Sequence, residues 1–181
     1  MTTRTRAMPA PGVATAKSPD ASSAMLPGDF KLEDFLPYQL SVAANRVSRL
    51  FARRYSGIYG LTIPEWRVLA TIARFSTVSP TAVGEWTAMD KVKVSRAAAG
   101  LVARGLIRQT PDPKDGRGRL LRMTRKGETV HRDVVPLARA LEATLAESLG
   151  RTQWLALGKA LVRLNAHVQS IEEPDRAEAV D

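Results

Sequence analysis

The sequence predicts a mainly α-helical fold that carries one small β-hairpin. Apolar residues recur at helical spacing along most of the chain, which indicates several amphipathic helices. Two short strand candidates, residues 106–109 (LIRQ) and 120–123 (LLRM), enclose a loop with the turn-forming residues Pro, Asp and Gly, which predicts the hairpin. Hydrophobic residues make up 44% of the 181 residues, so we expect an ordinary core. The sequence contains no cysteine, which excludes disulfides and zinc–thiolate sites.

Residues 1–29 are predicted to form a disordered tail. They hold four prolines and many Ala, Ser and Thr residues, and they lack the apolar centre of a secretory signal. A transit peptide is the alternative, because the tail is poor in acidic residues. No apolar run approaches the ~18 residues of a membrane-spanning helix, so we expect a cytoplasmic protein.

The segment 30–60 is predicted to hold a first dimerisation helix. Its apolar residues follow a 4-3-4-3 spacing: Leu36, Leu40, Ala43, Val47 and Leu50. Pro37 suits the first turn of a helix, where a missing N–H costs little. We expect this helix to run from about residue 36 to 56 and to stop before Gly57 and Gly60.

The segment 61–124 is predicted to fold as a winged helix-turn-helix. Thr62 with Glu65 has the form of a capping box, and Ser79 before Pro80 repeats a helix-start signal for a third helix with Val83 and Trp86. Asp90 is expected to cap a fourth helix, and Gly105 to end it. The expected buried stripe of that helix is Val94, Ala98, Leu101 and Val102. Helix, turn, helix, strand, loop and strand is the order of this fold.

The segment 125–172 is predicted to supply the C-terminal dimerisation helices. Val130, Val134, Leu137, Leu141 and Leu145 form one stripe, within which Pro136 should bend or break the helix. After Gly150, a heptad-like seam follows: Trp154, Leu157, Leu161, Leu164, Val168 and Ile171. Residues 173–181 are expected to be an acidic, frayed tail. The stripes predict a two-fold homodimer, and a monomeric helical cap is the alternative.

The charge of the chain is concentrated in one window. Residues 91–126 contain eleven Lys and Arg residues and two acidic residues, Asp112 and Asp115. The net charge of this window is therefore +9, the same as that of the whole chain. A polyanionic partner is the simplest explanation, since neutralised phosphates release counterions. A solubilising basic face is the alternative. We expect Lys91 to contact phosphate, and Lys93, Ser95 and Arg96 to be the candidates for base edges.

Four segments, taken in order, resemble the MarR family of bacterial transcription regulators: residues 90–96 (DKVKVSR), 101–107 (LVARGLI), 112–117 (DPKDGR) and 121–127 (LRMTRKG). The resemblance covers about residues 35–171. It implies a homodimeric winged helix-turn-helix protein, usually a repressor that a small ligand releases from DNA. The remaining DNA-binding candidates lie in the wing: Lys114, Asp115, Arg117 and Arg119.

The resemblance also assigns roles and exposes departures. It implies that Ser95 and Arg96 contact DNA, and that Asp115 orients Arg117 near the minor groove. The run of small residues 97–100 (AAAG) departs from the bulkier residues common in the family, and allows closer packing or closer approach to DNA. Gly118 and Arg119 beside Arg117 are expected to make the wing more flexible and more cationic.

A small-molecule effector is a further hypothesis. In the family the effector sits between the dimerisation helices and the DNA-binding lobe, where this chain has aromatic and cationic residues: Tyr38, Arg46, Arg49 and Trp66, together with Tyr55 and Arg67. An aromatic ring and an arginine suit an aromatic carboxylate, so a phenolic acid or its coenzyme A thioester is the predicted ligand class. The alternative is structural, with Trp66 in the core and Arg46 as a paired surface cation. No cofactor or metal is expected.

The sequence therefore predicts a sequence-specific, ligand-responsive DNA-binding regulator and no enzyme. The two histidines, His131 and His167, lie on separate predicted helices, and no phosphate-binding loop, nucleophile elbow or metal-ligand spacing occurs. The alternatives are a nonspecific or architectural DNA-binding protein without a ligand switch, and an interaction module that uses the 154–171 seam.

Overall fold

A computed structural model describes residues 30–113, 115 and 118–178 of this chain, with side chains as far as Glu172. After a 3-10 turn at Leu32–Asp34, the helices are α1 (Leu36–Tyr59), α2 (Ile63–Phe75), α3 (Pro80–Thr87), α4 (Lys91–Ala103), α5 (Arg125–Leu149) and α6 (Arg151–Glu178). The strands are β1 (Thr77–Val78), β2 (Ile107–Pro111) and β3 (Arg119–Met123). The predicted fold class, a mainly helical chain with a winged helix-turn-helix core, is confirmed.

The first helix is longer than predicted. α1 passes through Gly57 and ends at Tyr59, and Gly60 then leaves the helix with φ of 61°. Gly57 is exposed, with no atom within 4 Å of where its Cβ would lie, so it costs the helix only about 1 kcal/mol. The extra turn follows directly on Tyr55, the one α1 side chain that is fully buried.

Of the described residues, 30–41 belong to one compact unit and those from Val42 onward to another. Within the first unit, the rings of Phe30 and Phe35 lie 5.5 Å apart, and the Gln39 amide donates a 2.6 Å hydrogen bond to the carbonyl of Glu33.

Local capping starts four of the helices. The side-chain oxygens of Thr62, Ser79, Asp90 and Thr124 each accept the backbone N–H three residues on, at 3.3, 3.1, 2.7 and 3.1 Å respectively. Glu65 completes the capping box by accepting the backbone N–H of Thr62 at 2.8 Å. The three caps predicted at residues 62, 79 and 90 are confirmed. They fix where α2, α3 and α4 begin, because each satisfies an N–H that the helix itself cannot bond.

The buried face of α4 differs from the prediction at two residues, because Ala97 is buried and Val102 is not. Val94, Ala97, Ala98 and Leu101 are buried, whereas Val102 is 39% exposed. These four positions follow the i, i+3, i+4, i+7 pattern of one helix face, and residue 102 lies outside it. Gly105, with φ of 67°, ends the helix as predicted.

The end of α4 is a complete Schellman closure. The N–H of Leu106 donates to the carbonyl of Leu101 and that of Gly105 to the carbonyl of Val102, both at 2.9 Å. Leu101 and Leu106, the two residues that such a closure brings together, are both buried. The two hydrogen bonds of this turn therefore fix the direction in which β2 leaves α4.

A three-stranded antiparallel sheet, in the order β1–β3–β2, forms the wing. β1 was not predicted, since two residues are too few to show alternation; its only signal is the β-branched pair Thr77 and Val78 between serines. β2 extends to Pro111, two residues beyond the predicted strand. Leu121 of the central strand is fully buried against the helices.

One core connects the helices and the sheet. It contains Tyr55, Leu61, Val68, Leu69, Ile72, Val78, Val83, Met89, Val94, Ala97, Ala98, Leu101, Leu106, Ile107, Leu121 and Val134. Trp86 of α3 lies outside this core and is 60% exposed, against the ring of Phe75 at a centroid distance of 5.0 Å.

α5 is one continuous helix through Pro136, so the predicted break does not occur. Pro136 is exposed, and the carbonyl one turn earlier, which its missing N–H leaves unbonded, can therefore bond to water. α6 begins directly after Gly150 and continues to Glu178. The frayed tail expected from residue 173 stays a prediction.

None of the helices in the described ranges combines the length and the apolar composition that crossing a bilayer requires. Along α6 the predicted seam is exposed in the single chain, at 40% for Leu157 and Leu161 and 55% for Ile171. The stripe of α5 behaves differently, because Val134 and Leu141 are buried within the same chain.

Candidate nucleic-acid interface

α4 presents one buried and one exposed face. The buried face packs on α2 and α3, as a helix-turn-helix requires. The opposite face consists of Val92, Ser95, Arg96 and Ala99, which again follow the i, i+3, i+4, i+7 pattern and are all exposed. The predicted pair Ser95 and Arg96 therefore lies at the centre of the exposed face. The hydroxyl of Ser95 and the guanidinium of Arg96 are accessible to solvent there.

Val92 is an addition to the sequence-predicted site. It is 57% exposed and lies one turn before Ser95 and Arg96 on the same face. An apolar side chain in this position can contact a thymine methyl group in the major groove. The helical spacing from residue 92 to 96 was the signal that could have identified it.

Lys93 is engaged differently from Arg96. Its ammonium lies 2.9 Å from the carboxylate of Asp90, and both side chains are more than half exposed. The backbone N–H of Lys93, hydrogen-bonded to the same carboxylate, is the main reason that the pKa of Asp90 is lowered. Part of the Lys93 charge is thus offset, which leaves Ser95 and Arg96 as the stronger candidates for base contacts.

Lys91 lies at the entrance to α4 and lines an open cavity of about 990 Å³. The cavity lies between α3, the start of α4 and the second half of α6, and its lining also includes Trp86, Asn165 and Gln169. Lys91 is exposed, and its contact with a DNA phosphate stays a prediction.

The tip of the wing is described in part. Lys114 and Arg117 lie outside the described residues. Asp115 accepts the N–H of Gly118 at 2.8 Å through its backbone carbonyl, and Gly118 accepts the N–H of Asp112 at 3.0 Å. A Cβ at Gly118 would lie 3.1 Å from that of Asp112, so this glycine serves a close approach within the turn. Arg119 is exposed at the first position of β3, opposite Pro111.

Arg104, one of the cations of the basic window, has a structural role. Its guanidinium donates to the carbonyl of Tyr59, the last residue of α1, and at 2.9 Å to the carbonyl of Gly60, which follows it. The same guanidinium lies 3.7 Å from the carboxylate of Glu65. A cation at the carboxyl end of a helix is favoured by the helix dipole. Arg104 therefore joins α1, α2 and α4 rather than facing a partner.

The run of small residues in α4 serves packing. Glu65 is only 8% exposed, and its Oε1 lies 2.6 Å from where a Cβ on Gly100 would stand. Glycine at this position lets the capping carboxylate of α2 lie against the backbone of α4. The sequence left open whether these residues favour packing or DNA approach, and at Gly100 the contact is with Glu65.

Four rings form an aromatic cluster between α1, α2 and α5. The centroid of Trp66 lies 5.6 Å from Phe51, 5.8 Å from Tyr55 and 5.5 Å from His131, with which it stacks at an interplanar angle of 12°. Trp66 is half-buried against the core. This is the structural role that the sequence offered as the alternative for Trp66.

Two polar groups in this cluster are perturbed by burial. The Tyr55 hydroxyl is buried and has no hydrogen-bond partner in the described part of the protein. Burial is the main cause that raises the pKa of Tyr55 to about 12, and Arg67 is the cation that opposes it. Burial also lowers the pKa of His131. The cluster thus contains a hydroxyl with no hydrogen-bond partner in the described part of the protein, an imidazole whose charged form is disfavoured by burial, and a nearby arginine.

The other predicted effector residues lie elsewhere on α1. Arg46 and Arg49 are exposed, and at 100° per residue Arg46 points opposite to Tyr55 and Arg49 about 120° away from it. Tyr38 lies in the N-terminal unit and is 42% exposed. The structure therefore does not direct Arg46 and Arg49 toward Trp66 within one chain; the cation beside the cluster is Arg67.

Comparison with known proteins shows what part of this chain is similar to a known family. Residues 59–118 match the model of the MarR family. A crystal structure of a probable transcriptional regulator from Pseudomonas aeruginosa is similar over 74% of this chain and 99% of its own, with 28% identity and a TM-score of 0.66. No curated protein sequence matches the chain.

Two further solved structures bear on function. Bordetella bronchiseptica BpsR, whose DNA binding is regulated by 6-hydroxynicotinic acid, covers 76% of this chain and 98% of its own, at 23% identity and a TM-score of 0.69. A mutant of E. coli MarR in complex with operator DNA is similar over 74% of this chain and 96% of its own, with 21% identity and a TM-score of 0.65. At these identities the likeness is one of fold.

Proposed function

We propose, from the match of residues 59–118 to the MarR family model and from the winged-helix fold, that this chain is a MarR-type transcriptional repressor that binds an inverted repeat as a homodimer. The observation that carries the proposal is the exposed face of α4, with Ser95 and Arg96 at its centre and no acidic partner for Arg96 within salt-bridge distance in the described residues. The proposal assigns no catalytic activity to the protein.

The chemistry of this face suits duplex DNA. Arginine can donate two hydrogen bonds to the O6 and N7 atoms of guanine, and serine can bond base edges or phosphates. We assign base contacts to Ser95 and Arg96, phosphate contacts to Lys91 and Lys114, and minor-groove contacts to Arg117 and Arg119. We further propose that Asp115 orients Arg117. Lys93, which is paired with Asp90, is proposed to make an additional contact with DNA.

Homodimerisation is supported by the exposed apolar surface of the single chain. The seam residues of α6 after Trp154 and the stripe residues Val47 and Leu50 of α1 remain 37–55% exposed, and Trp154 is half-buried. Contiguous apolar surface of this kind marks an interface in soluble proteins. A light-scattering mass of 19.7 kDa at micromolar concentration would be that of one chain and would contradict the dimer.

The aromatic cluster is the proposed effector site, and an aromatic carboxylic acid or its coenzyme A thioester is the proposed ligand class. Tyr55 offers an unsatisfied hydroxyl, Trp66 and His131 offer stacked rings, and Arg67 offers a cation. The regulation of BpsR by 6-hydroxynicotinic acid supports this class. Tyr38, Arg46 and Arg49 stay predictions as ligand contacts.

The experiment that tests DNA specificity is a selection of bound sequences from a random duplex pool at physiological salt. An inverted repeat with half-sites about one helical turn apart is expected. A parallel selection with Arg96→Ala should lose enrichment at defined positions of each half-site. Recovery of DNA without any enriched sequence would favour a nonspecific binder, and no recovery would contradict DNA binding.

The ligand class is tested by thermal denaturation across a panel of aromatic acids that includes 6-hydroxynicotinic acid. A ligand of the native state must raise the midpoint. Tyr55→Phe is the matched variant, because it removes only the hydroxyl; a shift that is reduced in this variant assigns the ligand to the cluster. No shift for any compound would argue against this ligand class.

A further inference from the structure

The outer face of the wing sheet carries a row of three residues that no DNA assignment uses. The strand register places Arg122 of β3 directly between Thr77 of β1 and Arg108 of β2. Adjacent residues of a strand point to opposite faces, and the neighbours Val78 and Leu121 are buried in the core. Thr77, Arg122 and Arg108, the arginine row, therefore face away from the core.

The arginine row lacks internal compensation. Both arginines are exposed, and no acidic side chain lies within 4.0 Å of either among the residues that the structure describes. Like charges directly opposite on adjacent strands destabilise a sheet. The hydroxyl of the half-buried Thr77 also makes no hydrogen bond to the described protein. The row thus presents two guanidinium groups and a free donor without an acceptor.

The spacing of the row fits one phosphate. Directly opposite side chains have Cβ atoms about 4.5–5.5 Å apart, so two flexible arginine stems can bring their planar donors to the same tetrahedral anion. Arg122 lies three residues, about 10 Å, behind Arg119 at the tip side of β3, and on the opposite face. A wing inserted by its tip would hold the row outside the groove, beside the sugar–phosphate backbone.

We propose that Arg108 and Arg122, with Thr77, bind a backbone phosphate of DNA outside the segment read by α4 and the wing tip. This inference rests on the proposed function and extends it, because it lengthens the DNA footprint of each protomer by contacts that carry no sequence information. Its signature is a dependence on salt and on flanking duplex, and not on operator sequence.

The test compares Arg108→Gln/Arg122→Gln with wild type on the selected operator, with and without about ten flanking base pairs on each side. Each neutralised phosphate contributes about 0.9 to the slope of log K against log salt, so the loss of one per protomer should reduce a dimer's slope by about 1.8. The matched control is Arg139→Gln/Arg151→Gln, which removes equal charge from exposed positions of α5 and α6. It should leave the slope and the flank dependence unchanged.

Arg108→Glu supplies a second measurement that does not depend on loss of folding. It places opposite charges across β2 and β3, so the thermal midpoint of the free protein should rise while binding to the flanked operator weakens. If both arginine variants bind flanked and trimmed operators with the wild-type slope, the proposal is overturned. The proposed function would still stand if the wild-type protein selects an operator and the Arg96→Ala variant does not.

Inorganic phosphate distinguishes a DNA phosphate from a free anion. If the row served a free anion, phosphate would stabilise the DNA-free wild type more than chloride at equal ionic strength and would not stabilise the double variant. That result, together with an unchanged DNA slope, would refute the backbone contact. Equal stability in both salts and a reduced DNA slope would support it.

Discussion

Replacing Gly127 by alanine is expected to destabilise the protein although the position is helical. Gly127 lies in the first turn of α5, and a Cβ there would stand 2.0 Å from the carbonyl oxygen of Leu106 and 2.8 Å from Cγ of Met123. Real Cβ atoms essentially never approach closer than 3.0 Å, so the carbonyl must retreat by about 1 Å. That carbonyl already accepts the N–H and hydroxyl of Thr124, at 3.0 and 3.1 Å, and cannot move freely.

The magnitude follows from two opposing effects. Overpacking of this kind costs about 1–3 kcal/mol, and contact with backbone favours the upper end. Alanine regains about 1 kcal/mol over glycine in a helix. The net loss is therefore about 2 kcal/mol, or about 4–8 °C in the thermal midpoint for a chain of this length.

Gly57→Ala is the matched control. It makes the same chemical change in a helix, but no atom lies within 4 Å of the new Cβ. Its midpoint should rise by about 2–4 °C, corresponding to up to about 1 kcal/mol. Both variants are compared with wild type by thermal denaturation at one protein concentration, since a dimer's midpoint depends on it. A midpoint for Gly127→Ala equal to or above that of wild type would refute the close approach of α5 to the Leu106 carbonyl in the connection between α4 and β2.

Four further predictions concern the interface and the aromatic cluster. Arg96→Ala should weaken operator binding by about 1–3 kcal/mol and relax one position of the half-site, whereas Lys91→Ala should weaken all sequences equally; affinities on operator and scrambled duplexes decide this. Arg104→Ala should cost about 2 kcal/mol in urea unfolding, because it removes charged hydrogen bonds and leaves a carboxylate buried. Burial lowers the pKa of His131 in the folded state. The stability that the neutral imidazole contributes is therefore fully present above the ordinary pKa of 6.5 and is lost as the pH falls below it. The thermal midpoint of His131→Gln should vary less than that of wild type between pH 7 and 5. Tyr55→Phe should leave the free protein equally or more stable by up to about 1 kcal/mol, because the hydroxyl has no partner; a large drop in midpoint would contradict this.

The features that the sequence predicted correctly are local ones. The caps at Thr62, Ser79 and Asp90 depend on residues three positions apart, and the stop at Gly105 depends on one backbone conformation. The two faces of α4 follow from helical periodicity, which also placed Ser95 correctly on the exposed side. These relations are determined within a few residues, so one sequence contains them in full.

The features that the sequence missed depend on distant partners. β1 exists because Thr77 pairs with Arg122, which lies far along the chain. Arg104 counted as a candidate cation until the structure placed it against the end of α1, 44 residues away. Arg46 seemed a companion of Trp66 by sequence proximity, but the turn of α1 directs it elsewhere. In each case tertiary packing, and not local propensity, decides the role of the residue.

The junction between β3 and α5 has a mechanical consequence. A single residue, Thr124, separates the last residue of the wing from a helix of 25 residues, and its hydroxyl both caps the helix and bonds to the strand connection. A helix of this length spans about 37 Å, so a tilt of five degrees displaces one end by about 3 Å relative to the other. Because a single residue joins β3 to α5, a tilt of α5 is expected to change the orientation of the β2–β3 hairpin.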